Sequence, residues 1–457
     1  MAIGISQDGR HFVHSDGRPF FYLADTAWML LNRVSKEDTV HYLRVRAEQG
    51  FTVIAAVALA EFGGLSAPNA EGELPLKNAG TVEPNPVYFD HIDYVIAEAA
   101  KLGLQIALLP AWGDKVQPWN GGVDGIFSPG FQNQGREQAM AKAYAYGAWI
   151  AARFDRHDNI IWINGGDRGP SGPNYAETGQ EYWDIWDAMG RGICSAAPDC
   201  LISFHPPGGY SSSYWFHHSS WLSFNQIQSG HWNRDIDNYA MIKLDYNRLP
   251  VRPTLDGEPC YENHPVQYRL EFGVFNDYDA RKKAYHALFA GAAGHTYGAH
   301  EVFQFFEPGQ EKFFGARLHW KEALLLPGAR QMGHLRKLFE SLPQFPNLEP
   351  APSFVLTGCG HGTDAVYALK DAAGTCAVVY TTAGNPFIAD LSQLSEGKLA
   401  FSWYSPRTGD FIEMEQQSLS GPSAFVSPNA DPGMGDGKQA AWLPRVGNDW
   451  VLVCKAG

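Results

Sequence analysis

The sequence predicts a (β/α)8 TIM barrel followed by a small antiparallel β-sandwich. Between about residues 20 and 305, eight short apolar runs alternate with helical stretches, the strand number and length typical of this barrel. After about residue 350 the helical periodicity fades, and short strands alternate with turns rich in Gly, Asn and Pro. The chain has 457 residues, which is more than one hydrophobic core usually organises. We therefore predict a barrel domain over residues 1–342 and a β-sandwich domain over residues 343–457.

The eight apolar runs are rich in β-branched and aromatic residues and are bounded by Gly or Pro, a pattern typical of buried parallel strands. In chain order they cover residues 20–25, 51–59, 104–110, 159–164, 201–205, 222–226, 252–256 and 294–298. Helices are predicted between them, and the one over residues 36–50 has Ser35 as its N-cap and Gly50 as its C-cap. A doubly wound sheet is the alternative. That fold usually carries a Gly-rich phosphate-binding turn after its first strand, whereas Asp25-Thr-Ala-Trp28 follows the first run here.

The C-terminal part has a different pattern. Short runs over residues 365–369, 376–380, 401–404 and 450–454 predict the strands of the β-sandwich, and the Pro-rich segment 343–352 predicts the linker that precedes it. No line of exposed aromatic residues is evident in this part of the sequence. We therefore favour structural support over ligand binding as its role.

The charge of the chain excludes one class of partner. The formal net charge is −14 and there is no run of five or more basic residues, so a nucleic-acid partner is not expected. Aromatic residues make up 13% of the chain, with 14 Trp, and flat rings with a polar edge suit the faces of sugars. A neutral ligand fits this composition better than a polyanion.

The sequence also bears on location and redox state. No apolar run is long enough to span a bilayer, so no membrane partner is expected. The N-terminus has no basic region before an apolar one, which predicts a cytoplasmic protein, or a secreted or periplasmic one whose signal peptide is absent from this sequence. None of the six cysteines falls in a C-x-x-C pair, and free thiols are favoured, although Cys194 and Cys200 are close enough in sequence to bridge. The sequence indicates no oligomeric state.

The C-terminal ends of the predicted strands are where a TIM barrel carries its chemistry. Polar and aromatic residues follow these ends throughout the barrel. They are Asp25 and Trp28, Trp112, Asp167, His205, His231 and Trp232, Glu258 and Tyr261, and His300. Such a set offers both hydrogen-bonding partners and stacking faces, as a hydroxyl-rich neutral ligand requires. We therefore expect these residues to surround a sugar.

Two of these residues are candidates for catalysis. Glycoside cleavage needs one carboxylic acid that protonates the leaving oxygen and a second carboxylate that attacks the anomeric carbon or activates water. Asp167 ends the fourth run and Glu258 ends the seventh, so their side chains can face each other across the barrel. The alternative is structural: Asp167 could cap a helix or pair with Arg168 or Arg136, and Glu258 could pair with an arginine of the rim.

Five motifs give the sequence a family resemblance. They are Asp-Gly-Arg-Pro-Phe at 16–20, Leu-Ala-Asp-Thr-Ala-Trp at 23–28, Trp-Ile-Asn-Gly-Gly-Asp at 162–167, Gly-Glu-Pro-Cys-Tyr-Glu at 257–262 and Trp-Tyr-Ser-Pro-Arg-Thr-Gly at 403–409. In this combination, over nearly its whole length, the chain resembles the apiosidase-like glycoside hydrolases. Those proteins couple a barrel to a C-terminal domain named for collagen binding.

The resemblance implies an activity and two roles. Asp167 would be the acid/base and Glu258 the nucleophile of a retaining glycosidase, and a furanoside such as an apioside would be the substrate. A retaining outcome requires the two carboxyl groups to lie roughly 5 Å apart, and an inverting one roughly 6.5–9.5 Å. Asp167 would also need a raised pKa, which partial burial and the charge of Glu258 would supply.

The remaining residues have supporting roles with a structural alternative for each. Asp25 and Trp28 would hold a sugar hydroxyl and a sugar face, unless Asp25 bonds local backbone instead. His205 and His231 would bond hydroxyls or orient the nucleophile, or else be satisfied groups of the core. The three rings expected to act as platforms are those of Trp112, Trp232 and Tyr261.

A metal site is not expected. His295, His300 and Glu301 lie close together in the sequence, but their spacing differs from the helical i, i+4 pair of a zinc protease. Cleavage by two carboxylates needs neither a metal nor a cofactor. We therefore assign His300 to substrate binding.

Two functions compete with glycoside hydrolysis. The first is a non-catalytic carbohydrate-binding protein on a degenerate barrel, which the presence of both carboxylates disfavours. The second is a barrel hydrolase or lyase that acts on a non-glycosidic bond. The partner that we predict is an oligosaccharide or a glycoside.

Overall fold

The N-terminal segment forms a small antiparallel sheet that covers one end of the barrel. The computed structural model describes residues 2–118, 125–171, 181–414, 420–428 and 447–456. The sheet contains β1 (Ile3–Ile5), β2 (Phe12–His14) and β3 (Pro19–Phe20). The fully buried ring of Phe12 lies 5.5 Å from the ring of Tyr22 and 5.3 Å from that of Phe224. Because Tyr22 and Phe224 lie at the N-terminal ends of barrel strands, this contact closes the end of the barrel opposite the strands' C-termini.

Eight parallel strands form the barrel. They are β4 (Tyr22–Thr26), β5 (Val53–Leu59), β8 (Gln105–Ala111), β9 (Ile160–Gly165), β10 (Ile202–His205), β11 (Asn225–Ile227), β12 (Thr254–Asp256) and β13 (Gly294–Tyr297). The hairpin of β6 (Leu76–Asn78) and β7 (Glu83–Pro84) lies in the connection between β5 and β8. Strand β13 pairs with β4, and each predicted run contains or overlaps one barrel strand. The predicted barrel is therefore confirmed.

Serine hydroxyls help to close the barrel between β10 and β11. The Ser203 hydroxyl donates to the carbonyl of Phe224 at 2.7 Å, and the amide of Ser223 donates to the carbonyl of Ile202 at 2.8 Å. The Ser223 hydroxyl in turn accepts from the amide of Ile202 at 3.1 Å. These side chains supply hydrogen bonds where the backbone ladder is incomplete, so buried polar groups at the seam stay paired.

Helices connect the strands and surround the barrel. They are α1 (Leu30–Arg33), α2 (Lys36–Glu48), α3 (Pro86–Lys101), α4 (Arg136–Phe154), α5 (Trp183–Ala196), α6 (Ser213–Phe216), α7 (Asn238–Tyr246), α8 (Asp277–Phe289), α9 (His300–Phe303), α10 (Trp320–Ala323) and α11 (Pro327–Glu340). Helix α2 begins as predicted, because the Ser35 hydroxyl accepts from the amide of Asp38 at 3.2 Å. Gly50, with φ of +95°, follows its end. None of the helices in these described ranges is long and apolar enough to cross a bilayer.

The C-terminal part consists of two antiparallel sheets. One contains β14 (Leu348–Pro350), β16 (Val366–Asp371), β17 (Cys376–Thr381), β19 (Leu399–Tyr404), β20 (Phe411–Glu413) and β22 (Trp450–Ala456). The other contains β15 (Val355–Thr357), β18 (Phe387–Asp390) and β21 (Pro422–Phe425). An apolar core that includes Phe387, Phe401 and Trp403 lies between them. The predicted boundary at residue 342 falls between α11 and β14. All six cysteines carry free thiols.

The outer face of the larger sheet packs on the barrel helices. The ring of Tyr380 stacks on that of Tyr285 with centroids 4.6 Å apart, and Tyr367 stacks on Tyr239 at 3.9 Å. Residues of β17 and β22 belong to the same continuous apolar core as the barrel. The two parts of the chain are therefore joined by core-like packing, which favours the structural role predicted for the tail.

Candidate active site

A cavity of about 580 Å³ opens at the C-terminal ends of the barrel strands. Six of the ten predicted site residues line it: Trp28, Trp112, Asp167, His231, Glu258 and Tyr261. A cavity of this size accommodates a small ligand or a few sugar rings. The barrel thus brings together residues that lie more than 200 positions apart in the sequence.

Glu258 lies on the cavity wall, two residues after β12, and is held by two histidines. Nε2 of His205 lies 2.9 Å from Oε2, and Nε2 of His231 lies 3.0 Å from Oε1. The Tyr261 hydroxyl also hydrogen-bonds the carboxylate. Burial by itself raises the pKa of Glu258, but the two histidines outweigh burial and hold the pKa far below its usual value. Glu258 is therefore an ionised carboxylate whose orientation is set from both sides.

The other ring nitrogen of each histidine fixes how it meets Glu258. Nδ1 of His231 accepts a hydrogen bond from the amide of Tyr261 at 3.4 Å, so its Nε2 carries the proton that is donated to Glu258. Nδ1 of His205 lies 3.0 Å from the carbonyl of Pro206. Burial alone lowers the pKa of His205, but the carboxylates of Glu258 and Asp167 raise it above its usual value. Both imidazoles thus present a proton to Glu258.

A strained turn after β9 places Asp167. Gly165 has φ of +86° and Gly166 has φ of +137°, and Asp167 itself adopts a left-handed φ of +54°. A Cβ atom on Gly165 would lie 2.6 Å from the carbonyl oxygen of His205, and one on Gly166 would lie 2.9 Å from the ring of Trp112. The glycine pair therefore gives room to neighbouring backbone and an indole. Left-handed backbone at a non-glycine residue costs about 1–3 kcal/mol and concentrates at functional sites.

The surroundings of Asp167 raise its pKa, whereas those of Glu258 lower it. The Asp167 side chain is 37% exposed, and Oδ2 lies 2.9 Å from Nη1 of Arg168. The amide of Gln228 donates a further hydrogen bond to the carboxyl group. Partial burial in the cavity raises the pKa of Asp167, the Arg168 charge opposes this, and the negative charge of Glu258 raises it again. The net pKa is raised, from the two causes expected from the sequence, although the pairing with Arg168 is present as well.

Aromatic rings form the wall beside these carboxyl groups. Nε1 of Trp28 donates to the Tyr261 hydroxyl at 3.0 Å, and the rings of Trp28 and Trp112 lie 5.2 Å apart. Each indole also lies 5.5 Å from the imidazole of His205. Trp28, Trp112 and Tyr261 therefore form one continuous apolar surface next to Glu258, of the kind on which a sugar ring stacks.

Three predicted site residues lie elsewhere. Asp25 is fully buried and pairs with Nε of Arg46 at 2.8 Å and with the hydroxyl of Tyr42 at 2.5 Å. Both partners belong to α2, so Asp25 faces the helix layer and the prediction that it binds substrate is wrong. Trp232 is 62% exposed and is not part of the cavity wall. His300 is also not part of the cavity wall: it is buried, and burial lowers its pKa to about 3.

Further residues of the cavity were not predicted. They are Met29, Val57, Ala60, Glu61, Phe62, Arg168, Gln228, His264, Tyr268, Phe303 and Phe314. Glu61 follows β5 by two residues, the same offset at which Asp167 follows β9 and Glu258 follows β12. This offset is the signal that could have identified it. Tyr268 and Phe314 lie in long connections that carry no periodic pattern. Among the residues that the structure describes, no group of three or more His, Cys, Asp or Glu side chains could hold a metal ion.

Two family matches cover most of the chain. Residues 6–346 match the family described as "Apiosidase-like, catalytic domain". Residues 350–455 match the family described as "Putative collagen-binding domain of a collagenase". No curated protein matches the sequence. The first match alone spans more than half of the chain and includes every residue of the cavity described above.

Solved structures resemble the whole chain. One described as a glycoside hydrolase is 29% identical with a TM-score of 0.85, and covers 100% of this chain and 97% of its own. A glycoside hydrolase family 5 protein from Bacteroides vulgatus is 28% identical with a TM-score of 0.85, and covers 100% of this chain and 93% of its own. An endo-1,4-β-D-mannanase from Thermotoga petrophila shares the fold alone, at 13% identity and a TM-score of 0.50 over 70% of this chain and 100% of its own.

These similarities decide between the functions left open by the sequence. The enzyme is favoured over the non-catalytic binding protein, and the implied substrate is a carbohydrate. The barrel, the cavity at its strand ends and the matched family agree. The chain belongs to the apiosidase-like family and is a glycoside hydrolase.

Proposed function

We propose that the enzyme is a retaining glycosidase in which Glu258 is the nucleophile and Asp167 is the acid/base. The observation that carries this proposal is the contrast between the two carboxyl groups of one cavity. Two imidazoles hold Glu258 ionised, whereas burial and the charge of Glu258 raise the pKa of Asp167. A pair of carboxyl groups whose pKa values are pushed apart suits the division into nucleophile and acid.

In the first step Glu258 attacks the anomeric carbon and Asp167 gives its proton to the departing glycosidic oxygen. The bond from the anomeric carbon to that oxygen breaks, and a bond to a carboxylate oxygen of Glu258 forms. The leaving group departs as a neutral alcohol. The ring contacts of Trp28, Trp112 and Tyr261 with one another provide a rigid surface for the sugar during this attack.

In the second step Asp167 acts as a base. Once Glu258 is esterified its negative charge is gone, so the repulsion that raised the pKa of Asp167 disappears. Asp167, now a carboxylate, takes a proton from water as that water attacks the anomeric carbon, and Glu258 is released as a carboxylate. His205 and His231 stabilise the returning charge because they already face both carboxylate oxygens.

A furanoside such as an apioside is the proposed substrate. The support is the family match over residues 6–346 together with a cavity of about 580 Å³ that has indole and phenol surfaces beside Glu258. A glycan side chain or an oligosaccharide from plant or microbial material would present such a sugar.

A panel of aryl furanosides and pyranosides tests the activity and the sugar together. We expect hydrolysis of at least one furanoside, with NMR of the first-formed sugar showing retained anomeric configuration. The Glu258→Gln variant should lose at least about 10³-fold in kcat, since the charge of the nucleophile is removed without a change of shape. A matched control is Glu271→Gln, because Glu271 is exposed on the following connection. An inverted product, or full activity in Glu258→Gln, would contradict the proposal.

A further inference from the structure

One guanidinium bridges two carboxyl groups in the cavity wall. Nη1 of Arg168 lies 2.9 Å from Oδ2 of Asp167, and Nη2 lies 2.7 Å from Oε1 of Glu61. The Arg168 side chain is 9% exposed and that of Glu61 is 17% exposed, so water screens the contact between these two only weakly, whereas Asp167 is the more exposed partner at 37%. Two acidic groups therefore share a single positive charge.

The charges around Glu61 and Asp167 affect how readily each of these two acids loses its proton. Asp167 faces Arg168, Glu258 and His205, and Glu61 faces Arg168, Asp167, Asp114 and Lys115, while the Tyr268 hydroxyl faces both acids. Lys115 offers Glu61 little additional positive charge, because its Nζ lies 2.6 Å from Oδ2 of Asp114. When Glu61 and Asp167 are both ionised, two negative charges face the one guanidinium of Arg168, beside the carboxylate of Glu258. One of the two acids must therefore hold its proton to a higher pH.

We propose that Glu61 is a positioning residue whose negative charge engages the guanidinium of Arg168 and so keeps the acid proton on Asp167. This inference rests on the proposed role of Asp167 as the acid. Without the charge on Glu61, less of the positive charge of Arg168 would be compensated, and the guanidinium would favour the ionised form of Asp167 more strongly. Asp167 would then enter the first step without the proton that the leaving oxygen requires.

The charge of Glu61 is not needed to hold Arg168 in place. Nη1 of Arg168 also donates to the backbone carbonyl of Asp167 at 2.8 Å, which anchors the guanidinium independently of Glu61. Burial and the negative charge of Asp167 together raise the pKa of Glu61 to about 7, although the Arg168 charge opposes them. The negative charge on Glu61 therefore grows as the pH rises, over the range in which a general acid at neutral pH would otherwise lose its proton.

The arrangement also serves the second step. After proton transfer Asp167 is a carboxylate, and the same guanidinium already contacts its Oδ2. The positive charge can then compensate Asp167 without movement of the arginine. A bridge between two acids thus suits a residue that alternates between the acid and the base form.

The Glu61→Gln variant tests the inference because it removes the charge and keeps the shape and a hydrogen-bond acceptor. We expect the alkaline limb of the pH profile of kcat/KM to move to lower pH by about one unit or more. The loss at pH 8 should be about tenfold or more for a glycoside with a poor leaving group, and small for a dinitrophenyl glycoside, whose departure needs no acid. The Arg168→Gln change should move the limb to higher pH, and the double variant should return it toward the wild-type position.

A matched control is Glu83→Gln, which removes the same charge from exposed strand β7 in the same β5–β8 connection. It should leave the profile unchanged. An unmoved limb in Glu61→Gln would show that Glu61 only supports Arg168, and a limb at higher pH would reverse the proposed sign. Either result overturns the inference.

A measurement without turnover separates this inference from the proposed function. The carboxyl carbon of Asp167, labelled with ¹³C and assigned through Asp167→Asn, is titrated by NMR in the wild type and in Glu61→Gln. We expect the midpoint of Asp167 to fall by about one pH unit or more when Glu61 loses its charge. An unchanged or higher midpoint overturns the inference, whether or not any glycoside of the panel is cleaved.

Discussion

Removal of the Asp449 carboxylate tests whether the tail and the barrel form one cooperative structure. Asp449 precedes β22 of the tail, and its oxygens accept hydrogen bonds from Nε and Nη2 of Arg281 in α8 at 2.8 and 2.7 Å. Both side chains are buried. The hydroxyl of Tyr380 and Nη1 of Arg407 also lie 3.2 Å from this carboxylate. The Asp449→Ala variant would leave the Arg281 charge in the interface without its main partner.

The expected loss follows from this burial. Breaking a buried ion pair on one side costs about 3–5 kcal/mol, because the remaining charge stays desolvated. Two polar contacts of Arg281 remain in this variant: Gln331 at 2.5 Å offers only a neutral oxygen, and the carboxylate of Asp277 lies farther away, at 3.3 Å, with a side chain that is 33% exposed. Neither replaces the buried carboxylate of Asp449. Since whole domains are stable by about 5–15 kcal/mol, a loss of this size is a large part of the total.

The assay is urea unfolding followed by tryptophan fluorescence at pH 7. We expect the free energy of unfolding to fall by about 3 kcal/mol or more in Asp449→Ala, and by less than about 0.5 kcal/mol in the control Glu396→Ala, which removes an exposed charge of the tail. A loss below about 1 kcal/mol in Asp449→Ala would refute the reasoning.

The pH dependence provides a second check on the same residue. The folded pKa of Asp449 is lowered, because the Arg281 charge outweighs the effect of burial. A group of this kind contributes stability that is present above its unfolded pKa of about 3.9 and is lost as the pH falls through the folded value. The difference between wild type and Asp449→Asn should therefore shrink as the pH falls below about 4. A difference that grows in acid would contradict the sign.

Three further predictions concern the barrel. His231→Phe removes one donor to Glu258 and keeps the ring volume, so the pKa of Glu258 should rise and the acid limb of kcat/KM should move up by about one pH unit. Gly166→Ala introduces a Cβ atom 2.9 Å from the Trp112 ring at φ of +137°, and should lower kcat at least about tenfold in protein whose melting curve shows that it is folded. Asp25→Asn should lower the free energy of unfolding by about 3 kcal/mol, measured in urea, and leave KM unchanged, since its partner Arg46 lies in the helix layer.

The barrel was predictable because its strands are buried on both faces. Such strands appear as continuous apolar runs, and the runs at 51–59 and 104–110 correspond to β5 (Val53–Leu59) and β8 (Gln105–Ala111). The same property explains the error at Asp25. When both faces of a strand are buried there is no alternation of polar and apolar residues, so the sequence does not say which face a residue occupies. Asp25 faces α2, where Arg46 compensates it.

Some of the residues that the sequence missed lie where no periodic pattern operates. Tyr268 and Phe314 reach the cavity from connections after β12 and β13, and both have left-handed backbone, with φ of +62° and +52°. Such conformations are uncommon for bulky residues and depend on the surrounding structure. Their position therefore depends on tertiary packing. For Trp232 the sequence failed in the opposite direction. It was predicted to bind substrate because it lies close to a strand end in the sequence, but it is 62% exposed and lies outside the cavity wall.

The distinction between Asp167 and Glu258 arises mainly from side chains of other strand ends, with Arg168, the neighbour of Asp167, as the exception. The strand-end position predicts a carboxyl group at each site, but it does not predict which one keeps a proton. His205 and His231, from other strand ends, hold Glu258 as a carboxylate, while Arg168 and Glu61 together set the balance at Asp167. A barrel can therefore carry three carboxyl groups at the same offset from three strands and give each a different proton affinity. The chemical role follows from the partners that the closed sheet brings to each group, and the role proposed for Glu61 depends on its contact with Arg168.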